Sequence, residues 1–347
     1  MKGKIIILFL AAVSMLVPSC TGKGYVKIEG YAQGGVYTVT FNLEGVSQSP
    51  TEIRDSIESI LHKIDTTLSG YNKGSVLSRF NAGGDIVVDG MFAEIYSHAY
   101  DIFEDTGGAV DVSFSPLYDM WGFGFRSGSL PSAEQVDSVM CFCGMQRLRE
   151  TMADMVGSKI SPSELSDGQY APQLNYNAIA QGYSCDLVAE YLYSIGVKDM
   201  MVNIGEIFCD GKNPSGAAWT IGIDRPEDGN DQPGTQLQGI FSVPEGPHGV
   251  VTSGNYRKFY IKDGKKYAHT VDPRTGYPVS HNLLSATIIA ENALLADAYA
   301  TYCMVIGLEE AEAFIRSRED IEGCLVYDQD GEFVTWCSEG LETRKAD

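Results

Sequence analysis

Apolar and polar residues alternate with two different periods along the chain. Two short runs, residues 25–28 and 36–43, alternate every second position and are separated by Gly34-Gly35, which predicts a hairpin of two strands. From residue 51 to residue 67, isoleucine and leucine recur every third or fourth position, which predicts an amphipathic helix. We therefore expect the chain to begin with a hairpin followed by a helix.

The same two periods predict the remaining elements. Further helices are predicted at residues 91–104, 178–195, 294–306 and 309–317. Further strands are predicted at residues 200–204, 219–223, 237–243, 249–252, 258–261 and 285–289, and a last hairpin at 324–327 and 332–336. Residues 107–128 are predicted as a loop, and residues 145–172 as an irregular connection with one short helix. No repeat or linker divides this series, so we predict one α+β domain with mixed or antiparallel sheets packed with helices.

The first 19 residues have the features of an export signal. Two lysines precede an apolar run at residues 5–17 that is too short to span a membrane, and small Ser19 precedes Cys20. We predict a lipoprotein signal peptide at residues 1–19, with lipid attached to Cys20 and the mature chain, residues 20–347, anchored to a bacterial membrane through that lipid. Secretion with an incidental cysteine is the alternative. No later stretch reaches about 18 uninterrupted apolar residues.

Composition and charge exclude several classes of protein. The chain has 347 residues, of which 44% are hydrophobic, and this excludes disorder, collagen and coiled coil. A formal net charge of −21 argues against nucleic acid as a partner, because a phosphate-binding groove needs a basic stripe. Seven cysteines follow Cys20 at irregular spacing, which does not indicate a disulfide framework, so we expect most of them to be buried small apolar residues.

Three polar segments offer candidate chemistry, and each also has an ordinary structural interpretation. His269 stands just before a turn at residues 272–276, a position that suits either catalysis or a structural histidine. Asp297 and Thr301 are four residues apart in a predicted helix, so they share one face. Together they suit a hard cation such as Mg²⁺. The alternative is that Asp297 is a solvent-facing or capping residue. Residues 175–186 run from a polar turn into a helix, which suits either phosphate binding or simple capping.

Taken together and in order, several short motifs resemble one known family. They are Ser69-Gly-Tyr71, Ser75-x-Leu-Ser-Arg-Phe-Asn81, Thr106-Gly-Gly-Ala109-Val-Asp111, Trp121-Gly-Phe-Gly124, Asn177-Ala-Ile-Ala-Gln-Gly182, Trp219-x-Ile-Gly-Ile, Thr252-Ser-Gly-Asn-Tyr-Arg257, His269-x-x-Asp272-Pro-Arg-Thr-Gly276 and Ala296-Asp297-Ala-x-Ala-Thr301. This series is similar to the ApbE family of flavin transferases (FAD:protein FMN transferases) and covers residues 30–306.

The resemblance implies a periplasm-facing, lipid-anchored enzyme that binds FAD with Mg²⁺. It implies transfer of FMN from FAD to a threonine or serine hydroxyl of an acceptor subunit in a membrane redox complex, with release of AMP. The metal ligands that it implies are the side chains of Asp297 and Thr301 and the carbonyls of Ala178 and Ala300. The FAD-contacting residues that it implies are Tyr71, Ala109, Val110, Asp111, Asn175, Gln181 and His269. His269 is also the candidate base, because its ordinary pKa suits proton transfer near neutral pH.

Four positions depart from the family pattern. Gln33 stands where the family has a methionine that packs on the flavin, and Asn175 and Gln181 replace charged residues. Glu206 occupies the second position of a paired glycine. An FAD pyrophosphatase, in which water replaces the protein hydroxyl, and a non-catalytic flavin-binding lipoprotein therefore remain as alternatives.

Overall fold

The structure is a computed structural model that describes residues 24–123, 130–227, 230, 234–255, 259–262, 265–268, 270–341 and 343–344. Its helices are α1 (Pro50–Leu68), α2 (Val76–Asn81), α3 (Gly90–Asp105), α4 (Ser115–Met120), α5 (Ala133–Met140), α6 (Ala180–Ser194), α7 (Ala293–Ile306) and α8 (Leu308–Arg316). The predicted signal peptide and Cys20 lie outside the described residues, so lipidation stays a prediction. Among the described residues, no helix combines the length and apolar character needed to cross a bilayer.

The strands form one large sheet and several small ones. They are β1 (Tyr25–Ala32), β2 (Gly35–Asn42), β3 (Ile86–Val87), β4 (Lys159–Ile160), β5 (Met200–Asn203), β6 (Ile207–Asp210), β7 (Thr220–Asp224), β8 (Leu237–Ser242), β9 (His248–Gly254), β10 (Phe259–Lys262), β11 (Lys265–Ala268), β12 (Val271–Asp272), β13 (Tyr277–Pro278), β14 (Leu283–Ala290), β15 (Glu322–Gln329), β16 (Glu332–Cys337) and β17 (Thr343–Arg344). The large sheet has the order β1-β2-β5-β6-β9-β14-β15-β16, and all of its neighbouring strands pair antiparallel. The α+β prediction is confirmed.

Local signals set the ends of the long helices. Ser49 caps α1 and forms a capping box with Glu52, which satisfies amides that the first turn leaves unpaired. The side chains of Asp89 and Asn292 accept hydrogen bonds from first-turn amides of α3 and α7 in the same way. The predicted helices at these places are confirmed to within two residues at each end.

Helices cover one face of the large sheet and a small sheet covers part of the other. Helices α1, α3 and α6 pack on the β1–β2–β5 end, whereas α7 and α8 pack on β9, β14 and β15. The opposite face is covered by side chains of the small sheet. They are Trp219, just before β7, Ile223 of β7 and Phe241 of β8, and they pack against Val250 and Ile289 of the large sheet. Burial of apolar side chains on both faces of the sheet stabilises this layered arrangement.

Two sequence-based expectations about the connections were wrong. Residues 107–128 were expected to form a loop, but within the described part they contain α4, whose Leu117 packs in a small core with Trp121, Val136 and Cys143. Residues 145–172 hold three short 3₁₀ turns and a two-residue strand instead of one short helix. Such short elements carry too few residues to show a period, so packing rather than pattern decides them.

The expectation that the cysteines form no framework also needs a correction. Cys324 and Cys337 face each other in the β15–β16 register and form a disulfide. The remaining described cysteines are free, and all of them except Cys141 are buried, as expected. Spacing alone did not reveal the pair, because its proximity depends on the register of the hairpin.

Candidate functional site

Helices α6 and α7 cross at very close range. A Cβ atom on Gly182 would lie 2.2 Å from the carbonyl oxygen of Ala293, so only glycine permits this approach. At the crossing each helix caps the other. The Gly182 amide donates to Oδ2 of Asp297 at 3.1 Å, and the amides of Ala293 and Leu294 donate to the two carboxylate oxygens of Asp186 at 2.8 Å each. The crossing therefore fixes both carboxylates in place.

Three acidic side chains gather at this crossing. Asp297 is 5% exposed, and burial raises its pKa well above the ordinary value, with a further contribution from Glu206 and a smaller one from Asp186. Burial also raises the pKa of Asp186 to about 7 and that of Glu206 to about 7, although backbone hydrogen bonds oppose both shifts. Among the ion pairs of the described residues, none involves these three carboxyls. Because an uncompensated buried charge is costly, the burial of Asp297 favours either its protonation or a cation beside it.

The predicted metal ligands lie around the same crossing. Asp297 and Thr301 stand one turn apart on α7, and Ala300 between them is fully buried. The first backbone bond of α6 joins the Tyr183 amide to the Ile179 carbonyl, so the Ala178 carbonyl stands just outside that helix. The oxygen donors fit a hard cation such as Mg²⁺. Within the described residues no three His, Cys, Asp or Glu side chains are grouped to hold a metal, and the predicted set contains only one such side chain.

The segment predicted to line the flavin site is held by its own hydrogen bonds. Ala109 and Val110 are buried. The Asp111 carboxylate accepts from the amide and the hydroxyl of Ser113, at 2.8 and 2.6 Å, and from the Met145 amide at 3.0 Å. Burial raises the pKa of Asp111 while these bonds oppose the shift. Its side chain therefore holds the segment in shape through hydrogen bonds within the chain.

A cavity of about 450 Å³ opens beside this segment, a volume in the range of small-molecule sites. It lies between the loop after α3, the end of α5 with the residues that follow it, and the turn at residues 273–274. Its lining is formed by Phe103, Gly107, Gly108, Asp111, Phe114, Met140, Cys141, Cys143, Gln146, Arg147, Pro273 and Arg274. Residues 140–147 were not predicted to line a site, because none of the motifs covers them.

The other predicted FAD contacts lie near one or the other of these features. Tyr71 is 65% exposed and neighbours Tyr118 of α4, whose pKa burial raises to about 12 with a smaller contribution from Tyr71. The Asn175 amide donates to the Val112 carbonyl at 2.7 Å, which ties it to the end of the Asp111 segment. Gln181 precedes Gly182 on α6 and donates to the Ile204 carbonyl at 3.0 Å. None of these contacts tests the predicted roles.

Two of the departures from the family pattern also lie against α6. Gln33 has a positive φ of 52° at the β1–β2 turn and donates to the Ser184 hydroxyl at 2.5 Å. Glu206 lies in the turn between β5 and β6, where its carbonyl accepts a hydrogen bond from the Cys185 thiol at 3.1 Å. His269 lies outside the described residues, so its role as a base stays a prediction. The turn that follows is described, and in it Arg274 binds both carboxylate oxygens of Asp272 at 3.0 Å.

In fold, the chain is similar to solved flavin transferases. The flavinyl transferase ApbE of Pseudomonas stutzeri, in its apo form, matches with a TM-score of 0.76 and 32% identity over 91% of this chain and 95% of that one. The flavin transferase ApbE of Vibrio cholerae matches with a TM-score of 0.75 and 29% identity over 91% and 97% of the two chains.

The family follows from the sequence comparison. The model of the ApbE family matches residues 34–325. The FAD:protein FMN transferase of Escherichia coli (strain K12) is 31% identical over 318 residues, which are 90% of this chain and 86% of that protein. The FAD:protein FMN transferase of Haemophilus influenzae is 28% identical over 99% of this chain. The chain belongs to the ApbE family, and the prediction of an enzyme of this family is confirmed.

Proposed function

We propose that this protein transfers FMN from FAD to a threonine or serine hydroxyl of an acceptor protein, with Mg²⁺ as cofactor and AMP as the second product. The observation that carries the proposal is the buried Asp297 at the α6–α7 crossing, held by the Gly182 amide and accompanied by Asp186 and Glu206. Relatives over most of the chain are named FAD:protein FMN transferase, which supports the reaction.

Asp297, Thr301 and the carbonyls of Ala178 and Ala300 would hold the metal. When bound, Mg²⁺ would neutralise the negative charge of the pyrophosphate group. This explains how a protein with a net charge of −21 can bind a substrate that carries two phosphates.

The remaining predicted residues would bind FAD and move one proton. Tyr71 and the segment Ala109, Val110 and Asp111 would bind the flavin, and Asn175, Gln181 and His269 would also contact FAD. The acceptor hydroxyl oxygen would form a bond to the phosphorus of the FMN half while the bond from that phosphorus to the bridging oxygen breaks. That oxygen leaves with AMP, and the hydroxyl proton passes to His269.

The site of action is part of the proposal. A signal peptide at residues 1–19 and lipid on Cys20 would place the enzyme on the periplasm-facing side of a bacterial membrane, near acceptor subunits of membrane redox complexes. Replacement of Cys20 by serine should move the protein from the membrane fraction to the soluble fraction of the cell. Retention of the variant in membranes would contradict the lipid anchor.

The central experiment incubates the purified protein with FAD, Mg²⁺ and a threonine-containing acceptor peptide. We expect the peptide mass to increase by one FMN less one water, with AMP released in equal amount. A peptide with valine in place of the threonine, and a reaction with EDTA, should both give no product. Free FMN with AMP and no adduct would identify an FAD pyrophosphatase instead. FAD binding that does not depend on Mg²⁺, together with the absence of any product, would identify a non-catalytic flavin-binding protein.

His269→Ala tests the base separately. If the histidine takes the hydroxyl proton, the variant should transfer FMN at least about a hundredfold more slowly even when FAD is saturating. Transfer at an unchanged rate with normal FAD binding would contradict this role.

A further inference from the structure

Tyr299, Arg318 and Asp105 form a network that joins three elements. The Tyr299 hydroxyl donates to Oδ2 of Asp105 at 2.7 Å, and one guanidinium nitrogen of Arg318 donates to the same oxygen at 2.9 Å. The guanidinium carbon of Arg318 also lies 4.8 Å from the centre of the Tyr299 ring. Asp320 binds two other nitrogens of Arg318 at 2.9 and 2.7 Å, which fixes the plane of its guanidinium group. Asp105 ends α3, Tyr299 lies on α7, and Arg318 follows α8.

The network reaches α7 on the side away from the predicted metal ligands. Tyr299 stands midway between Asp297 and Thr301, and two residues along an α-helix point in nearly opposite directions. Tyr299 is 3% exposed and its ring centre lies 5.4 Å from that of Phe314 on α8. One helix therefore carries the acidic site on one side and this network on the other.

Asp105 also comes directly before residues 106–111, which include the predicted flavin segment Ala109, Val110 and Asp111. The amides of Gly107 and Gly108 donate to the carbonyls of Glu104 and Phe103, which are the last residues of α3 before Asp105. The hydroxyl of Thr106 then accepts from the Val110 amide at 3.2 Å. The direction in which α3 ends thus determines where the loop and the adjoining cavity lie.

We infer that Arg318 and Tyr299 are positioning residues, which hold the end of α3, and with it residues 106–111, at a set distance from the metal-binding helix α7. The expected effect on FAD binding rests on the proposed function. In that function the enzyme holds the flavin and the pyrophosphate of one FAD molecule at two separate places, so the distance between these places matters. Neither residue touches FAD in this assignment. Both act through Asp105, and their effect is on the position of residues 106–111 relative to α7.

Tyr299→Phe is the sharpest variant, because it removes one hydroxyl and keeps the ring against Phe314 and Arg318. Tyr302→Phe is its matched control, since Tyr302 lies on the same helix with its ring centre 4.8 Å from that of Phe314. Arg318→Met is paired with Arg316→Met, whose guanidinium lies over the Trp336 ring at 5.1 Å instead. Circular dichroism and thermal unfolding should show all four variants folded.

The first measurement is hydrogen exchange on the full protein without ligand. In Tyr299→Phe and Arg318→Met, peptides that cover residues 106–111 should exchange roughly tenfold faster, while peptides from β1 and β2 stay unchanged. Both control variants should exchange like the unchanged protein. Unchanged exchange at residues 106–111, or equal acceleration in the controls, would overturn the inference whether or not the protein transfers FMN.

The second measurement is FAD affinity by flavin fluorescence. We expect the dissociation constant to rise about tenfold in Tyr299→Phe and in Arg318→Met, and the double variant to show less than the product of the two effects, because both residues act on one carboxylate. An unchanged dissociation constant alongside faster exchange would overturn the consequence for FAD. Absence of FAD binding in the unchanged protein would count against the proposed function, while the exchange result would still decide the positioning role.

Discussion

Burial affects the carboxyls of both Asp297 and Asp111, yet the two carboxylates accept different numbers of hydrogen bonds from the chain. Asp111 accepts three hydrogen bonds from Ser113 and Met145, whereas Asp297 accepts a single one, from Gly182, within the described part of the chain. Burial raises the pKa of both carboxyls, and at Asp297 neighbouring acids raise it further. A carboxylate occupied by its own chain shapes a loop, whereas one with unused acceptor capacity among other acids is suited to a cation.

Asp297→Asn should have the largest effect, and it should fall on activity. We expect Mg²⁺-dependent FMN transfer to fall at least about a thousandfold, which corresponds to about 4 kcal/mol of transition-state stabilisation. Stability without metal should stay level or rise, because a buried charge beside other acids is removed. Steady-state kinetics and urea unfolding in EDTA measure the two effects. Unchanged Mg²⁺ affinity by calorimetry would contradict the metal role.

Gly182→Ala should have the next largest effect, on the α6–α7 crossing itself. The added Cβ would meet backbone atoms of Ala293, which cannot move without separating the helices, so we expect the free energy of unfolding to fall by about 3 kcal/mol. Gly90→Ala is the control, because Gly90 begins α3 with open space around it. If urea unfolding showed equal small losses for both variants, the close contact would not matter for stability.

Removal of the metal should make stability depend on pH. The carboxyls of Asp186 and Glu206 have pKa values of about 7 in the folded protein, against ordinary values near 4 in an unfolded chain. Between these values the folded state binds more protons, so the free energy of unfolding should fall as the pH rises. We expect a loss on the order of a few kcal/mol from pH 5 to 7.5 in EDTA.

Saturating Mg²⁺ should reduce that loss, because a bound cation favours the ionised carboxylates. Urea titrations at four pH values, with and without Mg²⁺, measure both quantities. Asp297→Asn serves as the control, in which Mg²⁺ should restore little of the lost free energy of unfolding. A free energy of unfolding that rises with pH in EDTA would argue against a cluster of buried acids.

Asp111→Asn should have the smallest effect, and it should fall on stability. The substitution places an amide NH₂ group among donors from Ser113 and Met145, so we expect a loss of about 1.5 kcal/mol in urea unfolding. FMN transfer should fall less than tenfold at saturating FAD, because the Asp111 side chain is occupied by hydrogen bonds within the chain and acts by holding the segment in shape. If Asp111→Asn abolished transfer without loss of stability, the contrast with Asp297 would disappear.

Long, regular elements could be predicted from the sequence because their signals are local. The stripe and the capping signals of α1 lie within the helix itself, and the predicted residues 51–67 became Pro50–Leu68. Helix α4 has six residues and could not be predicted, since its formation depends on packing of Leu117 and Trp121 against residues from α5 and beyond. The Cys324–Cys337 pair depends on strand register in the same way.

The candidate site shows the same division. The four-residue spacing of Asp297 and Thr301 predicted a shared helix face, and the structure places both on α7. The sequence did not show that Gly182 lets α6 touch α7, or that Asp186 caps the helix carrying Asp297. Asp111 was predicted only as a flavin contact, and the structure adds that three hydrogen bonds within the chain occupy its carboxylate.

The sequence by itself determined the family, the α+β class and the helical register of the predicted metal ligands, because motifs and periods are properties of neighbouring residues. The tertiary structure alone decided which acids share a buried site, which carboxylate its own chain already occupies, and how Arg318 and Tyr299 connect α3 to α7. Most of these facts depend on contacts between residues that are distant in the chain, such as Gly182 with Asp297 and Asp105 with Tyr299. The energy of a buried charge is set by such distant neighbours, and no local pattern records it.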